Sequence, residues 1–472
     1  MVFVKCCDII YVIKFKEGAK MRKRVDATQG SLVKLIFSFS IPLILTTLMQ
    51  NAFTIIDKAV LGQMADSTAV AAIGVTGFIT ALAINGFVGI ATGAGIVLAR
   101  FIGQKDEQKI RNTIETSLIV SVLFGIFIAV IGIIFAPLLL RMIDCPEECF
   151  EGALIYFRFY MGASPAILLY NYGSAIVRTL GDTKRPLYYI IFSGILKVVL
   201  NVVLCLILPQ KVTAVAISTV ISFAVKAILV ARRIFKIDDV VKLSLKDFRF
   251  CFDSFKLVFK FGFPIAIANL LMPIANLQIA PAINSYGVSA VAGNTAATDL
   301  FNVVAAFVTG FSAATSTFMG QNIGARKQDR VRKSLLYTIL CSLTIGGSMG
   351  AVFYLFGEFL IGLVVGAADT LAIEYGMVRM FYVSLFTFIY AIFTVLTAAE
   401  QAYGYPFMGS VSSIVCTLLF RVVWMNFVYP HNETFAMVMV CFTISWILTL
   451  LFKTVSVTII TFRYNKGIYK KI

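Results

Sequence analysis

The chain has 472 residues, of which 59% are hydrophobic and 14% charged, whereas a soluble domain is nearer half apolar and a quarter charged. That balance excludes an ordinary cytosolic enzyme and a disordered chain. The formal net charge of +17 would suit nucleic-acid binding, so it must first be tested against membrane topology.

In chain order, residues 1–20 carry Lys5, Asp8, Lys14, Lys16 and Glu17. They are too charged to span a membrane and show no cleavage signature. They are expected to be an extension or a wrongly assigned start, with Met21 as a second possible start. Twelve apolar segments follow, near 37–61, 69–97, 112–140, 152–177, 186–208, 212–231, 261–283, 290–319, 334–357, 372–399, 406–429 and 434–452. Each is long enough to cross about 30 Å of hydrocarbon as a helix. The longest polar stretch, residues 231–260, separates the sixth from the seventh. The expected organisation is an N-terminal arm (1–33), a first six-helix lobe (34–234), a linker (235–256), a second lobe (257–461) and a tail (462–472).

Five basic residues are assigned to the segments themselves, Lys58, Arg158, Lys197, Arg379 and Arg421, while Lys226 near the end of the sixth is counted with the polar stretch that follows it. Arg141 and Lys211 lie on one side, and all the rest lie with the two termini. By the positive-inside rule both termini are cytoplasmic, which accounts for the charge without nucleic acid. The nine cysteines read mostly as small buried hydrophobes, with Cys145 and Cys149 as free thiols. The single histidine, His431, excludes a multi-histidine metal site.

The halves resemble each other. RFIG (100–103) matches QNIG (321–324) at an offset of 221, as Arg158 matches Arg379; Pro42 matches Pro264 at 222 and Pro186 matches Pro406 at 220. This implies a duplicated six-helix unit. An even number of crossings makes the copies parallel repeats about an axis along the membrane normal.

Several stretches resemble the multidrug and toxic compound extrusion (MATE) family. They are DATQGSLVKLIFSFSIPLILTTLMQNAFTIIDKAVLG (26–62), YNYGSAIVRTLGDTKRPLYY (170–189), GFPIAIANLL (262–271) and MGQNIGARKQDRVRKSL (319–335). The resemblance implies an all-α membrane protein with twelve transmembrane helices in two pseudo-symmetric six-helix lobes around a cavity. It implies export of organic, usually cationic or amphipathic, molecules coupled to inward flow of protons or sodium ions.

A charge at the bilayer centre costs at least about 2.5–3.5 kcal/mol, so each one needs a reason. Asp57 reads either as a proton- or cation-binding carboxylate or as a helix-end acid paired with Lys58 or capped by water. Lys197 and Asn201 are spaced i, i+4 and share one helix face among valines. The family often carries Asn and then Asp or Asn at these two positions, so Lys197 is a departure. A fixed ammonium near Asp57 would occupy the place a sodium ion needs. The expectation is an Asp57–Lys197 ion pair broken by protonation or substrate; the alternative is a Lys197 that packs statically or snorkels. The resemblance adds Asn171 and Thr219 to the same lobe's site. Some relatives have a Glu where this chain has Met272, so no cation site carries over to the second lobe. Asp299 and Glu400 are candidates for lining a substrate cavity, Glu400 alternatively as a solvated helix end. Arg158 and Arg379 recur in both halves and read as scaffold. Pro165 and Pro273 are expected bend points.

No phosphate-cradling loop, nucleophile elbow or zinc-protease motif is present, which argues against an ATP-driven pump or an enzyme. A lipid-linked oligosaccharide flippase of the same superfamily is the alternative, kept open by Lys197 and Arg421. The expected protein is a monomeric secondary-active exporter of the bacterial cytoplasmic membrane, surrounded by lipid, with an organic small-molecule substrate. It needs no cofactor or metal, and its coupling ion is the proton rather than sodium.

Overall fold

The computed structural model describes residues 26–64, 67–143, 145–236, 243 and 248–466. The expectation for residues 1–20, and those for most of the 235–256 linker, lie outside the described residues. Long apolar runs become helices because hydrocarbon offers the backbone no other partner. The first lobe contains α1 (Leu32–Met64), α2 (Ser67–Gln104), α3 (Glu107–Met142), α4 (Glu147–Gly162), α5 (Ser164–Thr179), α6 (Lys184–Ile207) and α7 (Lys211–Phe235). The second contains α8 (Phe252–Leu277), the short α9 (Ala280–Asn284), α10 (Val288–Gly324), α11 (Gln328–Leu355), α12 (Gly357–Val365), α13 (Thr370–Arg379), α14 (Thr387–Tyr403), α15 (Pro406–Ser413), α16 (Phe420–Val423) and α17 (Phe435–Asn465). Wide π-helical turns carry α13 onward (Met380–Ser384) and flank α16 (Ile414–Leu419 and Trp424–Val428). Ten of the described helices are long and apolar enough to span a membrane, and two bent pairs bring the number of spans to twelve.

The bent pairs are the fourth span of each lobe. α4 and α5 meet at 45°, and the α13 segment and α14 at 44°. The breaks fall at Ala163 and at Leu385–Phe386, which correspond to within two residues at the offset of 221. Their local chemistry differs. In the first lobe Pro165 sits in the first turn of α5, where its missing N–H is tolerated. In the second a π-turn leads into the bend. Pro273 lies inside α8, which runs unbroken through it.

The lobes meet along the halves of their helices nearest the described termini. α2 packs on α8 through glycines: a Cβ on Gly93 would stand 2.3 Å from the Gly262 nitrogen, and one on Gly89 2.4 Å from the Ala266 Cα. Gly103 faces the Gln321 carbonyl and Gly324 faces the Arg100 carbonyl. This reciprocal contact explains why the RFIG and QNIG motifs recur. Ile36, Phe39 and Ile44 of α1 pack with Phe311, Ala314 and Phe318 of α10. The N-terminal strap is tied to the same seam. Ala27 N–H donates to Gln321 Oε1 at 3.1 Å, while Gln321 Nε2 donates to the Thr179 carbonyl of the other lobe at 3.1 Å. Toward the opposite end the helices part, exposing Gly74, Gly77 and Ala81 on α2 and Thr295, Asp299 and Asn302 on α10.

Two basic residues expected at helix ends lie well inside helices. The twelfth segment was expected to stop before Lys453, but α17 continues to Asn465 and Lys453 is 1% exposed. Lys226 lies within α7, its Nζ 3.9 Å from the Phe223 ring centroid and 4.9 Å from that of Tyr170. A cation over aromatic faces is stabilised by the ring quadrupole. Cys145 and Cys149 are free thiols with sulfurs 3.9 Å apart.

Candidate functional site

The first-lobe site begins with a close approach of α1 and α6. Gly194 has no side chain where the Phe53 ring passes; a Cβ there would lie 2.2 Å from a ring carbon. One turn beyond Phe53, α1 presents Asp57. One and two turns beyond Gly194, α6 presents Lys197 and Asn201 on the same face. The two runs therefore meet in register. Lys197 Nζ forms an ion pair with Asp57 Oδ2. Asn201 Nδ2 donates to Asp57 Oδ1 at 2.9 Å. Ser218 of α7 donates to Asn201 Oδ1 and is within 2.8 Å of the Val215 carbonyl. Both carboxylate oxygens are thus engaged, one by charge and one by an amide that a hydroxyl orients.

The Lys197 and Asp57 side chains keep 20% and 15% of their exposure. The pair is therefore partly buried rather than sealed. Thr219 is buried, and its hydroxyl donates to the Val215 carbonyl at 2.8 Å; Asn201, not Thr219, reaches Asp57. Asn171 of α5 is half-buried and joins no hydrogen bond of this cluster among the described residues. Ser218 was missed by sequence reading. Its signal was the spacing of Ser218, Thr219 and Ser222, three small hydroxyl residues on one face of α7 in AVAISTVISFA.

The second lobe is built differently. Glu400 of α14 and Lys453 of α17 form an ion pair at 3.3 Å, with side chains 0% and 1% exposed. This corrects both expectations for Glu400: it is neither a solvated helix end nor a cavity-lining acid, because α17 brings an ammonium onto it and seals it. Nearer the open end, Arg421 Nη1 donates to Asn276 Oδ1 at 2.7 Å, and Arg379 Nη1 donates to Asn294 Oδ1 at 2.9 Å. Arg379 is buried, but its counterpart Arg158 is exposed on α4. Their recurrence therefore does not reflect a shared environment. Asp299 is exposed on α10 and makes no ion pair among the described residues. A separate concavity of about 580 Å³, lined by Asp26, Lys105, Gln321 and Arg326 among others, lies at the terminus-bearing end of the seam, away from Asp57.

This geometry can be set beside known proteins. The chain matches the MatE family profile over residues 42–203 and 264–427. The two matches begin at Pro42 and Pro264, the pair that marks the duplication. The chain is 27% identical over 391 residues to the probable multidrug resistance protein YoeA of Bacillus subtilis (strain 168), covering 80% of this chain and 82% of that protein. It is 25% identical over 418 residues to the probable multidrug resistance protein YpnP of the same organism, covering 88% and 91%. Among solved structures, a MOP superfamily transporter from Pyrococcus furiosus Vc1 superposes with a TM-score of 0.84 at 22% identity, covering 93% of this chain and 99% of that one. A MATE crystal structure in the bent conformation superposes with a TM-score of 0.85 at 23% identity, covering 95% and 98%. These names do not favour the flippase alternative, and they point to transport rather than catalysis. The fold is the twelve-helix MATE arrangement, and the chain belongs to the MatE family of multidrug efflux transporters.

Proposed function

We propose that this chain is a proton-coupled antiporter that exports organic, cationic or amphipathic compounds by alternating access, with Asp57 as the group that carries the proton. One observation carries the reading. A carboxylate with residual exposure is held between an ammonium and an amide, inside a lobe that must move. Protonating Asp57 removes the charge that holds Lys197, so α1 and α6 lose their tie and the lobe can repack. A ligand or proton shifts a two-state equilibrium only by its difference in affinity for the two states. The ion pair supplies that difference. A cationic substrate that competes with Lys197 for Asp57 would be linked reciprocally to the proton.

Lys197 also supports the choice of ion. Its ammonium stands on the oxygen a sodium ion would need, and Asn201 takes the other. The positive-inside distribution supports cytoplasmic termini in the bacterial plasma membrane. The seam is then closed on the cytoplasmic side, and the parted helices open outward. Asp299, exposed on α10, would add negative charge to the cavity wall and attract cations.

The test is rhodamine 6G export from proteoliposomes with proton and sodium gradients imposed separately. A proton gradient alone drives export, and Asp57→Asn reduces it by about tenfold or more, the scale of a coupling energy above ~1.4 kcal/mol. Export driven by sodium alone would overturn the ion assignment. Full proton-driven export by both Lys197→Asn and Lys197→Ala would remove the ion pair from the mechanism.

A further inference from the structure

The repeat offset allows the two lobes to be compared position by position, and the comparison exposes a reversal of charge. At an offset of 221, Asp57 falls on Gln278 and Ser218 on Met439; at 220, Asn201 falls on Arg421. Where the first lobe has an acid held by an amide, the second has a guanidinium held by an amide. Arg379 lies beside it. Both guanidinium groups stand over the Phe442 ring, with Cζ 4.3 Å (Arg421) and 5.0 Å (Arg379) from its centroid. Arg379 Nη1 also lies 3.8 Å from the Met439 sulfur.

Neither cation is compensated. Arg421 is 1% exposed and Arg379 6%. Among the described residues neither meets a carboxylate, and the Nε of each is buried without a hydrogen-bond partner. Glu400, a buried acid of this lobe, is already paired with Lys453. The partners of the two arginines are amide oxygens, a thioether and the Phe442 ring, none of which carries a net negative charge. Burying a cation away from water is costly unless an opposite charge accompanies it. Two such cations side by side leave strong unmet attraction for an anion, and planar guanidinium forks match two-oxygen anions best. Asn276, which accepts from Arg421, is exposed. An arriving oxyanion can therefore displace a neutral amide at the surface of the site.

We propose that the Arg379–Arg421 pair binds the anionic group, a carboxylate or phosphate, of an exported organic compound. The assignment rests on the exporter reading above and extends it. The first lobe handles the proton, and the second adds a place for the negative group of those compounds that carry one.

The test uses the full-length purified protein in chloride-free buffer, with fluorescence anisotropy of 6-carboxyfluorescein and, separately, of rhodamine 6G. Wild-type protein binds 6-carboxyfluorescein saturably. Arg421→Gln and Arg379→Gln each weaken that binding by about tenfold or more, Arg421→Lys recovers part of it, and rhodamine 6G binding stays within about twofold. Asn276→Asp is a second variant, useful should an arginine variant fail to fold. It supplies an internal carboxylate to Arg421, keeps the cations compensated and abolishes 6-carboxyfluorescein binding. The proposal is overturned by absence of wild-type binding, by unchanged binding in Arg421→Gln, by binding retained in Asn276→Asp, or by chloride binding alone without the dye. Proton-driven rhodamine 6G export persisting alongside any of those results would leave the exporter reading standing.

Discussion

In the first lobe a carboxylate and an ammonium meet at a site that retains 15–20% exposure; in the second, Glu400 and Lys453 meet at one that retains 0–1%. The chemistry of the two pairs is nearly the same and their surroundings are opposite. An exposed pair can exchange protons with water or a ligand, and breaking it costs little. A sealed pair cannot be reached in this arrangement and acts to hold α14, α15 and α17 together, with Lys453 also near the Gly409 carbonyl at 3.5 Å. The backbone tells the converse story. The bends in the fourth spans fall at closely equivalent places with angles of 45° and 44°, yet one is followed by a proline and the other preceded by a π-turn. Duplication has preserved the shape of the lobes while the charges within them have diverged.

The sharpest way to break this comparison is to remove one acid from each pair. Glu400→Ala leaves a buried ammonium without its counter-charge, a loss of about 3–5 kcal/mol. The melting temperature of the purified protein should fall markedly, and the joint change Glu400→Gln with Lys453→Met should restore much of it. Asp57→Asn should barely move the melting temperature, because Lys197 remains partly solvated and the new amide can still accept from it. Its effect belongs to coupled transport. Equal destabilisation by Glu400→Ala and Asp57→Asn would erase the distinction between the sealed and the reachable pair.

A second contrast lies between two glycines. At Gly93 an added Cβ meets the Gly262 backbone in the other lobe at 2.3 and 2.4 Å, whereas at Gly194 it meets the Phe53 side chain within its own lobe. Backbone cannot swing aside, but a ring can shift at some cost. Gly93→Val should push the lobes apart at the terminus-bearing end. In a variant with the native cysteines replaced, spin labels at Lys109 and Lys333 should report a longer distance. Gly194→Val should leave that distance unchanged and instead weaken proton-driven export, by tilting Asp57 away from Lys197 and Asn201. Unchanged label distances in Gly93→Val would show that the seam has slack the glycine contacts do not reveal.

The twelve spans, the duplication and the Lys197–Asn201 face were legible in the sequence, because each depends on local periodicity or on a repeated offset; bringing Asp57 to that face rested on the family resemblance. Lys226 and Lys453 were misplaced for a related reason. A charge near the end of an apolar run reads as belonging to the polar stretch beyond it, and only tertiary packing discloses that aromatic rings or a carboxylate accept the charge inside the helix. Glu400 shows the same limit: its partner lies 53 residues away on a helix whose true end was not visible. Asn171 and Thr219 rested on resemblance, and packing turned Thr219 toward its own helix. Ser218 is the residue the fold brought in instead.

The smallest expected effect tests whether that hydroxyl matters. Ser218 donates to the Asn201 oxygen, leaving the Asn201 amide nitrogen aimed at Asp57. Ser218→Ala removes that donor within a buried site, which typically costs about 1 kcal/mol. Asn201 then has no fixed orientation and spends part of its time with its oxygen toward the carboxylate. Proton-driven export should slow by roughly fivefold, the rate equivalent of that energy, while remaining insensitive to sodium. Ser218→Met, the residue at the equivalent second-lobe position, should cost more, because its bulk displaces Asn201 as well as failing to orient it. If both variants export at the wild-type rate, Asn201 is held by packing alone, and the first-lobe site reduces to the Asp57–Lys197 pair.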